Sequence, residues 1–396
     1  MMQRALQQYL VVTASYWAFT LTDGALRMLV VLFFHNLGYS PLEVATLFLL
    51  YEFFGIVTNL FGGWLAARVG LNVTMQAGLF LQIVSLAMLL VDQSVLSVVY
   101  VMVAQALSGI AKDLNKMSAK SSIKLLVPDD AQGQLYRWVA ILTGSKNTLK
   151  GLGFFLGGGL LAWLGFQGAV ALMAIALVIV LTLSGLLLDR NLGKTSYKPK
   201  FTEIFSKSAS VNRLSAARLF LFGSRDVWFV VALPVYLQSH LNWHYMQVGM
   251  MMAAWIVGYG FVQTLAPKIT GIDRGNIPNG KTALEWSVAL SLLPLLIAGG
   301  LYFNIVAEYV LVAGLLIFGA VFAVNSSVHS FLIVSYAKEE GVSLDVGFYY
   351  MANAAGRLLG TLLSGVVFQW YGLEACLVVS TVFILLTSII SIKLPR

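Results

Sequence analysis

The sequence predicts an all-α integral membrane protein, with twelve transmembrane helices in two pseudo-symmetric six-helix bundles. Three observations lead there. Of 396 residues, 59% are hydrophobic and only 11% charged, against roughly 25% charged in an average soluble domain, so no single globular core could use this much apolar sequence. The apolar residues come in long unalternated blocks, which suit helices of ~20 residues and not barrel strands that alternate over ~10. The blocks also fall six and six about the longest polar stretch, 189–213, which carries six basic and two acidic residues.

Cutting at Gly, Pro, Asn and charge clusters places spans near 10–34, 41–66, 75–91, 95–124, 133–163, 167–188, 213–238, 245–269, 283–302, 306–336, 343–369 and 373–392. The first block is too long for a signal-peptide h-region, carries Asp23 and Arg27 and lacks a small-residue cleavage site, so it reads as a retained span. Orientation follows from Lys and Arg in short loops. The even-numbered turns and their flanks hold Arg68, Lys124, Arg137, Lys268, Arg274, Lys281 and Lys338, while the odd-numbered turns hold none. Both termini are therefore expected in the cytoplasm. Residues 189–213 read as a basic cytoplasmic linker between an N-terminal bundle (1–188) and a C-terminal bundle (214–396), with the anionic leaflet as its natural contact.

Metal chemistry is disfavoured. The one cysteine, Cys376, cannot form a thiolate cluster, and His35, His240, His244 and His329 are scattered without metal-ligand spacing. No cofactor is expected, and no nucleophile and base pairing suggests an intramembrane enzyme. Nor is a nucleic-acid partner indicated.

An internal repeat supports the two halves. Gly153, Gly158, Trp163 and Gly165 stand 207 residues before Gly360, Gly365, Trp370 and Gly372. Residues 37–45 and 241–249 share a hydrophobic pattern at a similar offset. Six plus six spans about a basic middle loop resemble the major facilitator superfamily, whose halves are related by an axis along the membrane normal. The segment G-G-W-L-A-A-R-V-G (62–70) is similar to that family's loop after its second span, with Gly63, Leu65, Arg68 and Gly70 in place and Ala67 where the pattern carries Asp.

Charges at membrane depth are costly, ~2.5–3.5 kcal/mol each on the insertion scale, and so mark function or internal pairing. Eight cations lie away from the predicted ends: Arg27, Lys112, Lys116, Lys146, Lys150, Arg218, Arg225 and Arg357. Four acids accompany them, Asp23, Glu52, Asp113 and Asp226, which are also the candidates for proton coupling. Complete pairing would leave four positive charges. Spacing suggests local pairs of Asp23 with Arg27 and of Asp113 with Lys116. Lys112, Lys116 and Lys120 form one stripe on a helix, with Lys120 near enough to water to snorkel. Lys146 and Lys150 flank Asn147, and at the repeat offset they fall on Asn353 and Arg357. Lys150 and Arg357 are therefore expected to face each other across a central cavity. Asn325, Ser326, Ser327 and His329 form a further polar patch. The run Gly157–Gly159 reads as helix packing, and Trp17, Tyr51, Tyr349 and Tyr350 read as packing or interfacial belt. Surplus cations favour a substrate with several negative charges, because ammonium and guanidinium groups recognise phosphate-like oxyanions.

The runs 16–30, 104–128, 138–158 and 215–237 are similar in text to the ArsJ family of organoarsenical efflux permeases. That resemblance implies a bacterial inner (plasma) membrane location and export of 1-arseno-3-phosphoglycerate. This unstable ester arises when glyceraldehyde-3-phosphate dehydrogenase uses arsenate in place of phosphate, so the enzyme is a functional partner. Outside, the ester hydrolyses to arsenate. Arg27, Lys112, Lys116, Lys146, Asn147, Lys150, Arg218, Arg225, Asn325, Asn353 and Arg357 are the candidate substrate contacts, and they rest on the charge argument alone. The alternative is a transporter or exchanger of another organophosphate or organic anion.

Overall fold

The computed structural model describes residues 2–38, 47–128, 130–189, 208–243, 245–303, 306–338 and 341–396. Within them all regular structure is helical. In chain order the helices are α1 (Met2–Asn36), α2 (Leu49–Val69), α3 (Leu71–Met88), α4 (Val98–Leu126), α5 (Gln132–Leu187), α6 (Ala209–Phe229), α7 (Ala232–Ser239), α8 (Tyr245–Ile269), α9 (Gly280–Tyr302), α10 (Ala307–Tyr336) and α11 (Val342–Ser391). Most of the proposed linker, 190–207, lies outside the described residues, as does 39–46 at the start of the second predicted span.

Nine helical stretches among the described residues are long and apolar enough to cross a bilayer. Two of them do so twice. With 56 residues, α5 would extend ~84 Å at 1.5 Å per residue, against a hydrocarbon core of ~30 Å. It breaks at Gly165 (φ 68°, ψ −178°), and the 50-residue α11 breaks in the same way at Gly372 (φ 79°, ψ −175°). That region of backbone space is open essentially to glycine alone. The twelfth span is α4, long enough to cross but too charged to be counted by hydropathy, since it carries Lys112, Asp113, Lys116, Lys120 and Lys124. The predicted seventh span is interrupted between α6 and α7. Pro234 supplies the cause, since its ring cannot sit against the carbonyl four residues earlier, and Ser364 Oγ accepts the amides of Val231 and Ala232 at 3.3 and 3.1 Å.

The chain forms two compact units. Unit 1 comprises 1–131, 145–206 and 337–351; unit 2 comprises 132–144, 207–336 and 352–396. A single cut at the linker therefore does not separate them: the first turns of α5 belong with unit 2 and those of α11 with unit 1. Unit 1 has α4 packed on α3, α2 and α1, over a core that includes Phe19, Leu26, Leu79, Leu86, Phe166 and Met173. Unit 2 has α10 packed on α9, α8 and α6, over a more aromatic core with Trp228, Trp255, Phe318 and Phe322.

The repeat is visible in the packing as well as in the kinks. A Cβ at Gly153 would stand 2.7 Å from the carbonyl oxygen of Leu21 on α1, and one at Gly360 would stand 2.6 Å from that of Gly223 on α6. Each glycine thus lets its long helix cross the first helix of its unit with backbones nearly touching, as small residues do in membrane bundles. Gly153→Val and Gly360→Val are expected to lower thermal stability of the purified protein by about 1–3 kcal/mol each through overpacking. Gly365→Ala, whose Cβ would meet nothing within 4 Å, should leave the melting temperature unchanged.

Candidate functional site

Among the described residues, polar side chains at membrane depth gather in clusters within each unit. In unit 1 the cluster is built on α4, where Lys112, Asp113 and Lys116 share a face. Asp113 is buried; Lys116 Nζ donates to its Oδ1, and Lys112 Nζ lies 3.7 Å from its Oδ2. One carboxylate therefore serves two ammonium groups. The expected Asp113–Lys116 pair forms, and Lys112 joins it.

Two tyrosines complete the arrangement. The Lys112 ammonium sits 3.8 Å from the ring centroid of Tyr51, while those of Lys116 and Lys120 sit 4.7 and 5.0 Å from that of Tyr350. Such contacts stabilise a desolvated cation through the ring quadrupole. Lys120 is buried beneath Tyr350 and does not extend to water. Tyr51 also donates its hydroxyl to Asp23 at 2.8 Å. Both rings were expected to serve packing or the interfacial belt; they do pack, Tyr51 against Phe48 and Tyr350 against Tyr349, and they meet charges as well.

The expected Asp23–Arg27 pair is not what forms. Arg27 Nη2 lies 3.3 Å from Glu52 Oε1 on α2, and its guanidinium is 5.0 Å from the ring of Phe48. Spacing of four residues permits contact along a helix, but α2 offers Arg27 both a carboxylate and an aromatic face, and the Tyr51 hydroxyl takes Asp23. Lys146, Asn147 and Lys150 are half-buried on α5. The Lys150 carbonyl lies against Gly24 of α1, so this basic segment ends at the close approach of the two helices.

In unit 2 the cations are arginines. Arg218 is buried; its Nε donates to Asn353 Oδ1 at 2.9 Å and its Nη1 to the carbonyl and hydroxyl oxygens of Ser326, both at 3.1 Å. Its guanidinium lies 3.9 Å from the Phe222 ring centroid. Ser326 Oγ also accepts from Tyr259 and Gln263, and Asn325 Nδ2 donates to Ser287 Oγ at 2.9 Å. The expected polar patch on α10 is thus a buried network tied to Arg218, with His329 fully buried in the same helix. Tyr259 and Gln263, both on α8, were not among the expected site residues. In the sequence they are two polar residues in an apolar span, and nothing there links them to α10.

Eight residues after Arg218, Asp226 is fully buried and each of its oxygens meets a guanidinium. Arg225 Nε donates to Oδ1 at 2.6 Å, and Arg357 Nε, from α11, donates to Oδ2 at 3.1 Å. Sequence spacing left Arg357 without an acid on its own helix; the acid comes from α6. Lys150 belongs to unit 1 and Arg357 to unit 2. The recurring motif is one buried carboxylate between two cations: Lys112–Asp113–Lys116 in unit 1, Arg225–Asp226–Arg357 in unit 2. Each triad retains one net positive charge.

No curated protein matches the chain. Several solved structures share its fold. Among them are the human organic anion transporter MFSD10 (TETRAN), 17% identical with TM-score 0.78, covering 98% of this chain and 99% of that one. A bacterial homologue of the iron transporter ferroportin is 12% identical with TM-score 0.77, covering 98% of each chain. The transporter FucP is 11% identical with TM-score 0.78, again covering 98% of each. At such identities the likeness is one of fold. The family described as Major Facilitator Superfamily matches residues 12–274, well over half of the sequence. The chain belongs to the Major Facilitator Superfamily, and it is a multi-pass membrane transporter rather than an enzyme.

Proposed function

We propose that the protein exports an anionic organoarsenical, 1-arseno-3-phosphoglycerate, from the bacterial cytoplasm across the inner membrane, with both termini cytoplasmic, and so confers arsenate resistance. The observation that carries the anionic part is the charge of the two triads. Each keeps a positive charge at membrane depth after its internal acid is counted, and ionisable groups at that depth mark the path of a substrate or ion. The particular anion is supported by the likeness of four long runs of sequence to organoarsenical efflux permeases. Its arsenate and phosphate ends suit cations distributed over several helices. Pentavalent arsenic is an oxyanion, in keeping with ammonium and guanidinium groups and with a single buried cysteine.

For coupling, Asp23 is the acid we propose to take up and release a proton. Glu52, Asp113 and Asp226 each face a cation, whereas Asp23 is held by the neutral Tyr51 hydroxyl, so protonating it breaks no ion pair.

Inverted vesicles containing the protein should accumulate 1-arseno-3-phosphoglycerate made in place by glyceraldehyde-3-phosphate dehydrogenase and arsenate; accumulation equal to that of empty vesicles would sink the proposal. Cells should gain arsenate tolerance only when the dehydrogenase is present. An exchanger of ordinary organophosphates would instead carry 3-phosphoglycerate with no such dependence.

Lys112→Gln and Lys116→Gln should each lower uptake at least about tenfold, the effect of losing one charge-assisted contact, with unchanged protein in the membrane because Asp113 keeps one cation. Normal uptake in both variants would make the triad structural. A third expectation concerns Arg27. Its loss should be relieved by Glu52→Gln and not by Asp23→Asn, with a coupling of about 0.5–3 kcal/mol in a thermal double-mutant cycle.

A further inference from the structure

The two triads are not built alike. Asp113 and both of its lysines lie on α4, one residue before it and three after, so the helix backbone holds the three groups together. Asp226 takes one arginine from its own helix and the other from α11. That second bond can open by a small shift of the Arg357 side chain or of α11.

The two arginines also differ in freedom. The Arg225 side chain is 14% exposed, and its guanidinium lies 5.0, 5.8 and 5.7 Å from the rings of Phe222, Phe229 and Phe322. Arg357 is 35% exposed, and its bond to Asp226 is 3.1 Å, against 2.6 Å for Arg225. If Arg357 swings away, Asp226 stays paired through Oδ1 and no buried acid is stranded. Gly360, one turn beyond Arg357, sets the approach of the helices: a Cβ there would stand 3.0 Å from Asp226 Cβ.

We propose that Asp226 is a resident counter-anion, occupying Arg357 until a substrate oxyanion displaces it. The competition selects by charge. A phosphate or arsenate group brings up to two charges and three oxygens to a guanidinium fork, which a single carboxylate cannot match. A simple carboxylate substrate has no advantage over Asp226 and is refused. Asp226 is thus a specificity-determining residue that need not touch the substrate. This rests on the reading of the substrate as an organic anion.

The test uses the full-length protein in lipid nanodiscs and measures calorimetric affinities for 3-phosphoglycerate and for glycerate, which lacks the phosphate. The wild type should favour 3-phosphoglycerate. The double variant Arg225→Gln/Asp226→Asn keeps the net charge of the triad while removing the competitor. Its affinity for glycerate should rise at least about tenfold, and the preference should shrink accordingly. Arg357→Lys keeps the ion pair but loses the fork; it should weaken 3-phosphoglycerate about tenfold more than glycerate without changing the melting temperature.

A double variant that folds and keeps the wild-type preference overturns the proposal. So does an Arg357→Lys protein with wild-type affinities, a result that stands even if the double variant fails to fold. If the wild type binds neither anion, this inference is overturned, while the export reading is decided separately by the vesicle uptake of 1-arseno-3-phosphoglycerate. If it binds 3-phosphoglycerate and the variants keep the wild-type preference, only this inference is lost.

Discussion

A charge held at the depth of a bilayer has no bulk water to turn to, and in this protein the arrangement of the helices that carry charge follows from meeting that demand internally. Asp113, Asp226, Arg218 and Lys120 are all nearly inaccessible. Each is met by an opposite charge, an amide, a hydroxyl or an aromatic face. The solutions are local to each unit: around Asp113 they use lysines and tyrosines, and around Asp226 arginines and phenylalanines. That difference has a physical sense. An ammonium is a compact point charge that a ring and one carboxylate can satisfy, whereas a guanidinium needs several acceptors in one plane, and Arg218 finds them at Asn353 and Ser326.

Close packing makes those contacts available. Where Gly153 and Gly360 bring a long helix against the first helix of its unit, backbones touch and side chains one turn away are carried into the interior. Lys150 and Arg357 each stand three residues before such a glycine. The same chain feature that permits the crossing therefore positions the cation, in both halves, without any requirement that the partners of the two cations be alike.

Much of this architecture is legible along the chain. The span count, the repeat offset and the equivalence of Gly165 with Gly372 follow from one-dimensional patterns, because hydropathy, glycine spacing and helix length are properties of neighbouring residues. The Lys116–Asp113 pair is readable for the same reason, being three residues apart on one helix. What was not readable are contacts decided by which helices meet. Arg27 turns from Asp23 to Glu52, Arg357 meets Asp226 across 131 residues of sequence, and Tyr51 serves both Asp23 and Lys112. Nothing local distinguishes a tyrosine that packs from one that carries a charge on its ring. The charge of α4 also hides it from a hydropathy count, so this highly charged span is among the least conspicuous as a span.

The exchange of short segments between the units has a consequence for how the protein is put together. Residues 132–144 and 337–351 each lie in the half of the chain opposite to the unit they complete. Were the polypeptide severed between α5 and α6, neither fragment would carry the whole of the unit that it mainly builds, and each would hold the piece that the other lacks. The two halves of the sequence and the two compact units are therefore not the same division of the chain.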